Sequence, residues 1–229
     1  MLTVHDLSKT FSTGMVVKRR TEALKNANLH IAPGETVGLF GASGSGKTTL
    51  ANLIAGVLKP TSGEILFHGQ AIQTPYRGAV RRAIQVIYQH PENAFDPSWS
   101  LEKSLLEPFR VHKIPYTRER LRALLEQVGL YEEHLSRNLH ALSGGELQRA
   151  ALARVMVLKP ELILLDEPTS MLDSISQAQV LGILKRYQRE HGTAYLLISH
   201  DAQVVRSLCS RCYYIERGEL TREERFEDA

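Results

Sequence analysis

Apolar residues follow two rhythms along this chain. Thr36–Phe40 (TVGLF), Ile84–Gln89 (IQVIYQ), Leu162–Asp166 (LILLD) and Ala194–Ser199 (AYLLIS) are short, nearly unbroken apolar runs. Runs of that length predict central parallel strands covered on both faces. The other rhythm is helical. Leu121, Leu124, Leu125 and Val128 recur at i, i+3, i+4 and i+7, with Thr117 placed to cap this helix and Gly129 to end it. Lys47–Leu58 and Glu146–Lys159 repeat the pattern, and Val204–Cys212 reads as the end of an amphipathic helix. The first 35 residues and Ser62–Gly69 instead read as extended pieces joined by turns, an antiparallel patch, and Arg217-Gly218 reads as a hairpin turn. Together these predict one α/β domain over residues 1–229: a mostly parallel sheet, an antiparallel β subdomain, and a helical insert over residues 91–158.

Chemistry enters after the first of the buried strands. Gly41–Thr49 (GASGSGKTT) fits G-x-x-x-x-G-K-[ST] between a strand and a helix, the setting that gives this pattern its meaning. Gly41, Gly44 and Gly46, with Ser43 and Ser45 between them, let the main chain wrap a phosphate, and the helix start adds partial positive charge. Lys47 is placed for the β- and γ-phosphates and Thr48, followed by Thr49, offers a hydroxyl to Mg²⁺. The ligand so described is a nucleoside triphosphate.

Three more strand ends point the same way, because ligands of open α/β sheets bind at the carboxyl ends of the strands. Asp166 ends one apolar run and can hold Mg²⁺, while the adjacent Glu167 can polarise a water. His200 follows another run and is placed to meet the γ-phosphate. Gln89 ends a third and can join either the Mg²⁺ shell or that of the attacking water.

Leu142–Glu146 (LSGGE) raises a different question. Ser143 and Glu146 make the S-x-x-E box that starts a helix. Gly144 and Gly145 lie between them, although each Gly costs a helix interior about 1 kcal/mol against Ala. These residues, with Gly41–Thr49, Gln89, Leu162–Pro168, Ser170–Asp173 and Leu197–Asp201, occur in the order seen in ATP-binding-cassette (ABC) ATPases, and the resemblance covers essentially the whole chain. It implies a P-loop ATPase that binds ATP and Mg²⁺ and pairs head to tail with a second ABC ATPase subunit, two ATP molecules being held at the interface. It gives the glycines a purpose: a start without side chains lets the γ-phosphate held by the other subunit's Lys47 lie against the main chain, with Ser143 touching it. A single Ser is then asked both to cap its helix and to meet a phosphate, two duties that look exclusive. The resemblance further implies that Phe11 stacks on adenine, that Glu167 is the general base or water orienter, and that Asp173 lies in a loop meeting the partner's phosphate site. Met171 stands in that loop where the commoner family form has Ala.

Gln89–Phe109 (QHPENAFDPSWSLEKSLLEPF) resembles the corresponding segment of importers for dipeptides, oligopeptides and nickel, with Asp96-Pro97 in place of Asn-Pro; the basic stretch Ser12–Leu24 resembles that class too. The resemblance implies integral membrane permease subunits as partners, a solute-binding protein acting through them, and a peripheral place on the cytoplasmic face of the plasma membrane. Trp99, Phe95 and Leu101 are candidates for the groove that receives the permease. Peptide importer ATPases usually extend beyond the final hairpin, whereas here Thr221–Ala229 reads as a charged, solvated tail, which favours nickel or a metal chelate as solute. The alternative reading is a non-transport ATPase, accessory to phosphonate metabolism or of the translation and DNA-repair type. Net charge of +3 is too mild to indicate a nucleic-acid partner, and the clusters Lys18-Arg19-Arg20 and Arg81-Arg82 read as solvated faces. No signal peptide or membrane-spanning run is evident. Cys209 and Cys212 lack the second pair that a four-ligand metal site needs, and read as free thiols.

Overall fold

The computed structural model describes residues 1–13 and 19–226. Strands β1 (Leu2–Thr13), β2 (Arg19–Ile31), β4 (Ser62–Phe67) and β5 (Gln70–Ala71) form an antiparallel sheet in the order β2-β1-β4-β5. The apolar runs build the second sheet. In it β3 (Thr36–Phe40), β6 (Ile84–Ile87), β7 (Leu162–Asp166), β8 (Ala194–Ser199) and β9 (Arg211–Glu216) are parallel, and β10 (Glu219–Arg225) returns antiparallel, giving β10-β9-β3-β8-β7-β6. Its strands lack alternation because both faces are covered. Leu162 and Leu164 pack towards the antiparallel sheet and α1 (Lys47–Ile54); Ile163 and Leu165 pack into the core on the other side.

That second core is the helical side: α3 (Leu101–Val111), α4 (Arg118–Gln127), α5 (Gly144–Met156), α6 (Ser174–His191) and α7 (Ala202–Leu208), with the short α2 (Gly78–Ala83) preceding β6. Cap chemistry sets several boundaries as the sequence predicts. Thr117 Oγ1 accepts the Arg120 N–H at 3.2 Å, and Gly129 takes φ +67° beyond the end of α4.

Some expectations need correction. The helix from Lys47 stops at Ile54 rather than Leu58. Gly56 turns left-handed (φ +72°), and both Val57 and Leu58 N–H groups bond Asn52 O. The helix before the cysteines ends at Leu208, so Cys212 lies in β9. Both thiols are buried and flank Gly38, where a Cβ would come within 2.9 Å of Cys212 Sγ and 3.2 Å of Cys209 Sγ. Burial pushes both thiols up, Cys212 to about 12, which leaves them inert core groups. Thr221–Arg225 pairs in β10 and is not a free tail, although Thr221, Arg222, Glu223 and Arg225 are exposed as expected; residues 227–229 lie outside the described residues. Phe95 and Leu101 are buried in the helical core, and Trp99 is half-buried under the Lys103 ammonium, 4.1 Å from its ring. Of the basic stretch Ser12–Leu24, residues 14–18, including Lys18, lie outside the described residues.

One ion cluster ties the two sheets together. Arg211, 4% exposed, donates to Glu35 Oε1 (2.6 Å), Tyr213 Oη (2.6 Å), Glu223 Oε1 (3.2 Å) and His30 O (2.5 Å). Burial pushes the Glu35 carboxyl up, but the Arg211 guanidinium and the Ala32 N–H outweigh it and hold it below the usual range. Removing one partner strands a charge. Arg211→Met is expected to cost about 3–5 kcal/mol in urea unfolding at pH 7. Glu35 contributes stability above its unfolded pKa and loses it as pH falls through the lowered folded one. The difference between wild type and variant should therefore shrink below about pH 4.

Candidate active site

The loop after β3 is shaped from behind as much as by any ligand. A Cβ on Gly41 would lie 2.4 Å from Ile215 O, and one on Gly46 2.7 Å from Ala23 O. Both positions need glycine because main chain from β9 and β2 presses against them. Gly44 differs: its φ is +77° and a Cβ there would meet no atom within 4 Å. It is the glycine of the loop that leaves room on the open side. Gly46 precedes α1 at φ +113° without a side-chain cap, and no acid occupies the first turn, so the helix keeps a bare positive end. Lys47 Nζ is folded into the loop, donating to Gly41 O (2.7 Å) and Ala42 O (2.8 Å), and the buried Ser45 hydroxyl has no partner among the described residues. An ammonium and a bare helix start at an open cleft fit a phosphate chain; the Ser45 hydroxyl, buried behind the loop, does not line that cleft.

A cleft of ≈ 800 Å³ joins this loop to the acids. Ser43, Gly44, Gly46, Lys47, Thr48, Thr49, Gln89, Asp166, Glu167 and His200 line it, as the sequence led us to expect. Asp166 is the last residue of β7. Glu167 continues one step in the left-handed region (φ +49°), its N–H bonding Ile198 O at 2.9 Å. That conformation costs a non-glycine residue about 1–3 kcal/mol, and it turns the side chain between two donors: Gln89 Nε2 at 3.2 Å on Oε2 and His200 Nδ1 at 2.9 Å on Oε1. Gln89 also reaches Ser170 Oγ at 3.4 Å. Burial, and then the charge of Glu167, raise the Asp166 carboxyl, with Lys47 opposing them. Such a carboxylate is short of a cation. One carboxylate with the Thr48 hydroxyl and the Gln89 amide suits Mg²⁺, which keeps waters and phosphate oxygens in its shell rather than a full protein cage.

Sequence reasoning missed the far wall. Thr21, Glu22 and Ala23 of β2 and the hairpin residues Arg217 and Gly218 also line the cleft. Gly218 N–H bonds Ser45 O (2.8 Å), and Gly218 O accepts from Lys25 N–H (2.8 Å). The turn signal at Arg217-Gly218 was legible, but nothing local shows that it abuts the phosphate loop. Phe11 is 37% exposed and does not line the cleft; it sits one strand away, paired with Thr21, with Lys9 Nζ 5.2 Å from its ring.

Ser143, Gly144, Gly145 and Asp173 are likewise absent from the cleft. Ser143 Oγ accepts the Glu146 N–H (3.2 Å) while Glu146 Oε2 accepts the Ser143 N–H (2.7 Å), a complete capping box at the start of α5. The Gly144 and Gly145 N–H groups have no acceptor among the described residues. Asp173 caps α6, accepting from Ile175 and Ser176 N–H (both 3.0 Å) and from Ser176 Oγ (2.7 Å). The two glycines are not equivalent. A Cβ on Gly145 would lie 2.8 Å from Ser176 Oγ, whereas one on Gly144 meets nothing nearer than Leu172 at 3.9 Å. Gly145 thus has a reason inside its own chain, and only exposed Gly144 is left for an outside phosphate. Met171, 65% exposed, fills no space in its own chain.

A parallel sheet whose strand ends gather a glycine loop, a lysine and two acids defines a P-loop nucleoside triphosphatase. Residues 24–170 match the pattern of the ABC transporter family, and the chain belongs to that family. It is 38% identical over 233 residues to the nickel import ATP-binding protein NikE of Pseudomonas putida, covering 97% of this chain and 85% of that protein. It is 39% identical over 226 residues to the oligopeptide transport ATP-binding protein OppF of Streptococcus pyogenes serotype M1, covering 95% and 73%. A solved dimeric ATP-binding cassette, in a post-hydrolysis state bound to ADP and Pi, is 31% identical with a TM-score of 0.87 over 100% of both chains.

Substitution separates the two glycines. Gly145→Ala should destabilise the isolated chain by about 1–3 kcal/mol through Ser176, read as a lower midpoint in denaturant. Gly144→Ala should leave that midpoint unchanged or raise it, by up to about 1 kcal/mol, yet lower ATP turnover at least tenfold, about 1.4 kcal/mol. Normal turnover in Gly144→Ala would remove the phosphate role.

Proposed function

We propose that this chain hydrolyses ATP as one half of a head-to-tail pair of cassettes, and so powers import of a peptide, of nickel or of a metal chelate through separate membrane subunits. One observation carries the pairing. The cleft holds a complete binding side, but the exposed donors at the start of α5 do not face it in the same chain. A second cassette turned head to tail brings them to the triphosphate, and Asp173 with them.

The chemistry asks for positioning and neutralisation of charge. Lys47 and the loop N–H groups hold the β- and γ-phosphates. Glu167 orients a water in line with the γ-phosphorus and accepts its proton as the bond to the ADP oxygen breaks. Gln89 and His200 keep the two carboxylate oxygens aimed. Thr48, Asp166 and Gln89 would hold Mg²⁺, which supplies countercharge to the phosphate oxygens. Phe11, beside the cleft, stacks on adenine.

The membrane role rests on a second groove. Tyr88, Pro91, Ala94, Glu107, Val111 and His112 border a hollow of ≈ 360 Å³ between the Gln89 segment and the helical side. Tyr88 and Val111 are exposed there, so they replace Trp99, Phe95 and Leu101 as the residues that would receive a permease helix. No helix among the described residues is long and apolar enough to cross a membrane; passage belongs to partner subunits, with the cassette docked peripherally on their cytoplasmic side. The whole chain, 1–229, acts as one nucleotide-binding domain with the helical insert at residues 91–158 inside it.

Glu167→Gln keeps the shape and loses the proton acceptor. It should lower turnover by about 10²–10⁴-fold and accumulate an ATP-bound dimer, seen by light scattering. Wild-type protein whose specific activity holds constant on dilution, as a strict monomer, would overturn the paired site.

A further inference from the structure

A buried histidine lies behind the capping box, and none of the roles above uses it. His134 closes a 3-10 turn (Glu132–His134) just before α5 and is 6% exposed. Its Nδ1 lies 3.1 Å from Tyr131 N and 3.1 Å from Tyr131 O; the amide hydrogen is directed at the ring nitrogen, so Nδ1 accepts. An accepting Nδ1 places the proton of the neutral ring on Nε2. Nε2–H then donates to Glu146 Oε1 at 3.1 Å. Arg137 Nη1 stands 3.8 Å from the same oxygen. The other oxygen, Oε2, already holds the Ser143 N–H at 2.7 Å. Glu146 is thus gripped at both oxygens, one by the residue it caps and one by a fixed imidazole.

The grip matters for Ser143. Capping uses its hydroxyl oxygen only as an acceptor, from Glu146 N–H. A hydroxyl also carries one donor hydrogen, and the acceptor beside Ser143 O–H is the Glu146 carboxylate itself. The two duties of this serine use different parts of the hydroxyl: its oxygen accepts from Glu146 N–H, and a phosphate would take the donor hydrogen in place of the Glu146 carboxylate. The direction of that donor depends on the box holding its shape, and the box depends on Glu146.

We propose that His134 is a positioning residue for the phosphate contact made across the dimer: it locks Glu146, and through Glu146 holds the Ser143 hydroxyl and the exposed Gly144 N–H ready for the partner's γ-phosphate. This rests on the two-cassette reading above. His134 touches no nucleotide, so its loss leaves each monomer's own cleft intact and weakens only closure.

Isosteres separate the two hydrogen bonds. Gln places its amide nitrogen where Nε2 stands and keeps the bond to Glu146; Asn covers only the Nδ1 position and keeps the bond to Tyr131. In the Glu167→Gln background, ATP-driven dimerisation is followed by light scattering, and nucleotide affinity is measured on monomer at high dilution. His134→Gln should dimerise within about twofold of its parent, while His134→Asn needs about tenfold more ATP, the loss of one hydrogen bond to a charged group. Monomer affinity should be the same in all three. Equal dimerisation of the Asn and Gln variants, or a parallel loss of monomer affinity, overturns the proposal. Should His134→Asn fail to fold, Glu146→Gln tests the same link. Whichever way its amide turns, an N–H meets another donor, either Nε2–H of His134 or the Ser143 N–H. The same rise in ATP requirement is expected, and no rise overturns it. A Glu167→Gln parent that stays monomeric at every ATP concentration overturns the two-cassette reading, and this inference with it.

Discussion

Main chain pressed against main chain behind the phosphate loop is the constraint on which the rest depends. Ala23 O of β2 stands where a Cβ of Gly46 or of Gly218 would be, and Ile215 O of β9 stands where a Cβ of Gly41 would be. No side chain can enter, so three segments meet as bare backbone, joined by the bonds Gly218 N–H to Ser45 O and Lys25 N–H to Gly218 O. The loop is therefore rigid before any ligand arrives. A preformed ring of donors loses little order on binding, and its field is already aimed when charge builds on the phosphate. The same contact clamps the antiparallel sheet to the parallel one, so adenine-side and phosphate-side elements keep one relative position.

On the opposite wall the design is electrostatic. Asp166 and Glu167 are consecutive carboxylates at a strand end, half-buried, and burial, then the charge of Glu167, raise the Asp166 carboxyl. The fold tolerates them by giving each a different answer. Glu167 is turned by its left-handed backbone towards Gln89 and His200, whereas Asp166 has only Lys47 as a favourable charge. Glu167 is held by the protein, whereas the Asp166 charge is left largely unmet. Both outcomes follow from one torsion, φ of +49° at Glu167, and the energy it costs is supplied by the buried β7–β8 ladder on which it sits.

Much of this was legible in the sequence because burial on both faces removes ambiguity. The runs TVGLF, LILLD and AYLLIS are the strands β3, β7 and β8 residue for residue. Caps at Thr117 and Ser143 were readable because a side-chain oxygen marks where a helix begins. Ends were harder. IAGVL continues the apolar rhythm of α1, yet Gly56 breaks it, since a Cβ there would strike the Tyr76 ring at 2.7 Å. Cys212 sat on a helical rhythm but lies in β9, because Ser210-Arg211 turns the chain to pair with Gly38. What the sequence could not disclose were contacts between distant segments: the hairpin behind the phosphate loop, Ser176 beneath Gly145, and His134 behind Glu146. Each is set by how elements pack, and no local pattern records it.

Those distant contacts give the start of α5 its meaning. A helix start built only for stability would carry the box and ordinary helix formers between its ends. This one leaves Gly144 bare and exposed, supports Gly145 on Ser176, and fixes Glu146 at both oxygens. Ser176 also donates to Asp173, so the segment bearing Asp173 and the segment bearing Ser143 share one small side chain as their hinge point. The capping groups are satisfied within the chain: Ser143 as acceptor, Glu146 as double acceptor, Asp173 as triple acceptor. What is left at the exposed surface is donor in kind: the Gly144 N–H, with the Ser143 hydroxyl beside it. A surface sorted into donors alone is complementary to an anion and to little else, and the anion it fits is absent from its own chain's side of the fold. An anion brought by a second cassette would find donors there, as the proposed pairing requires.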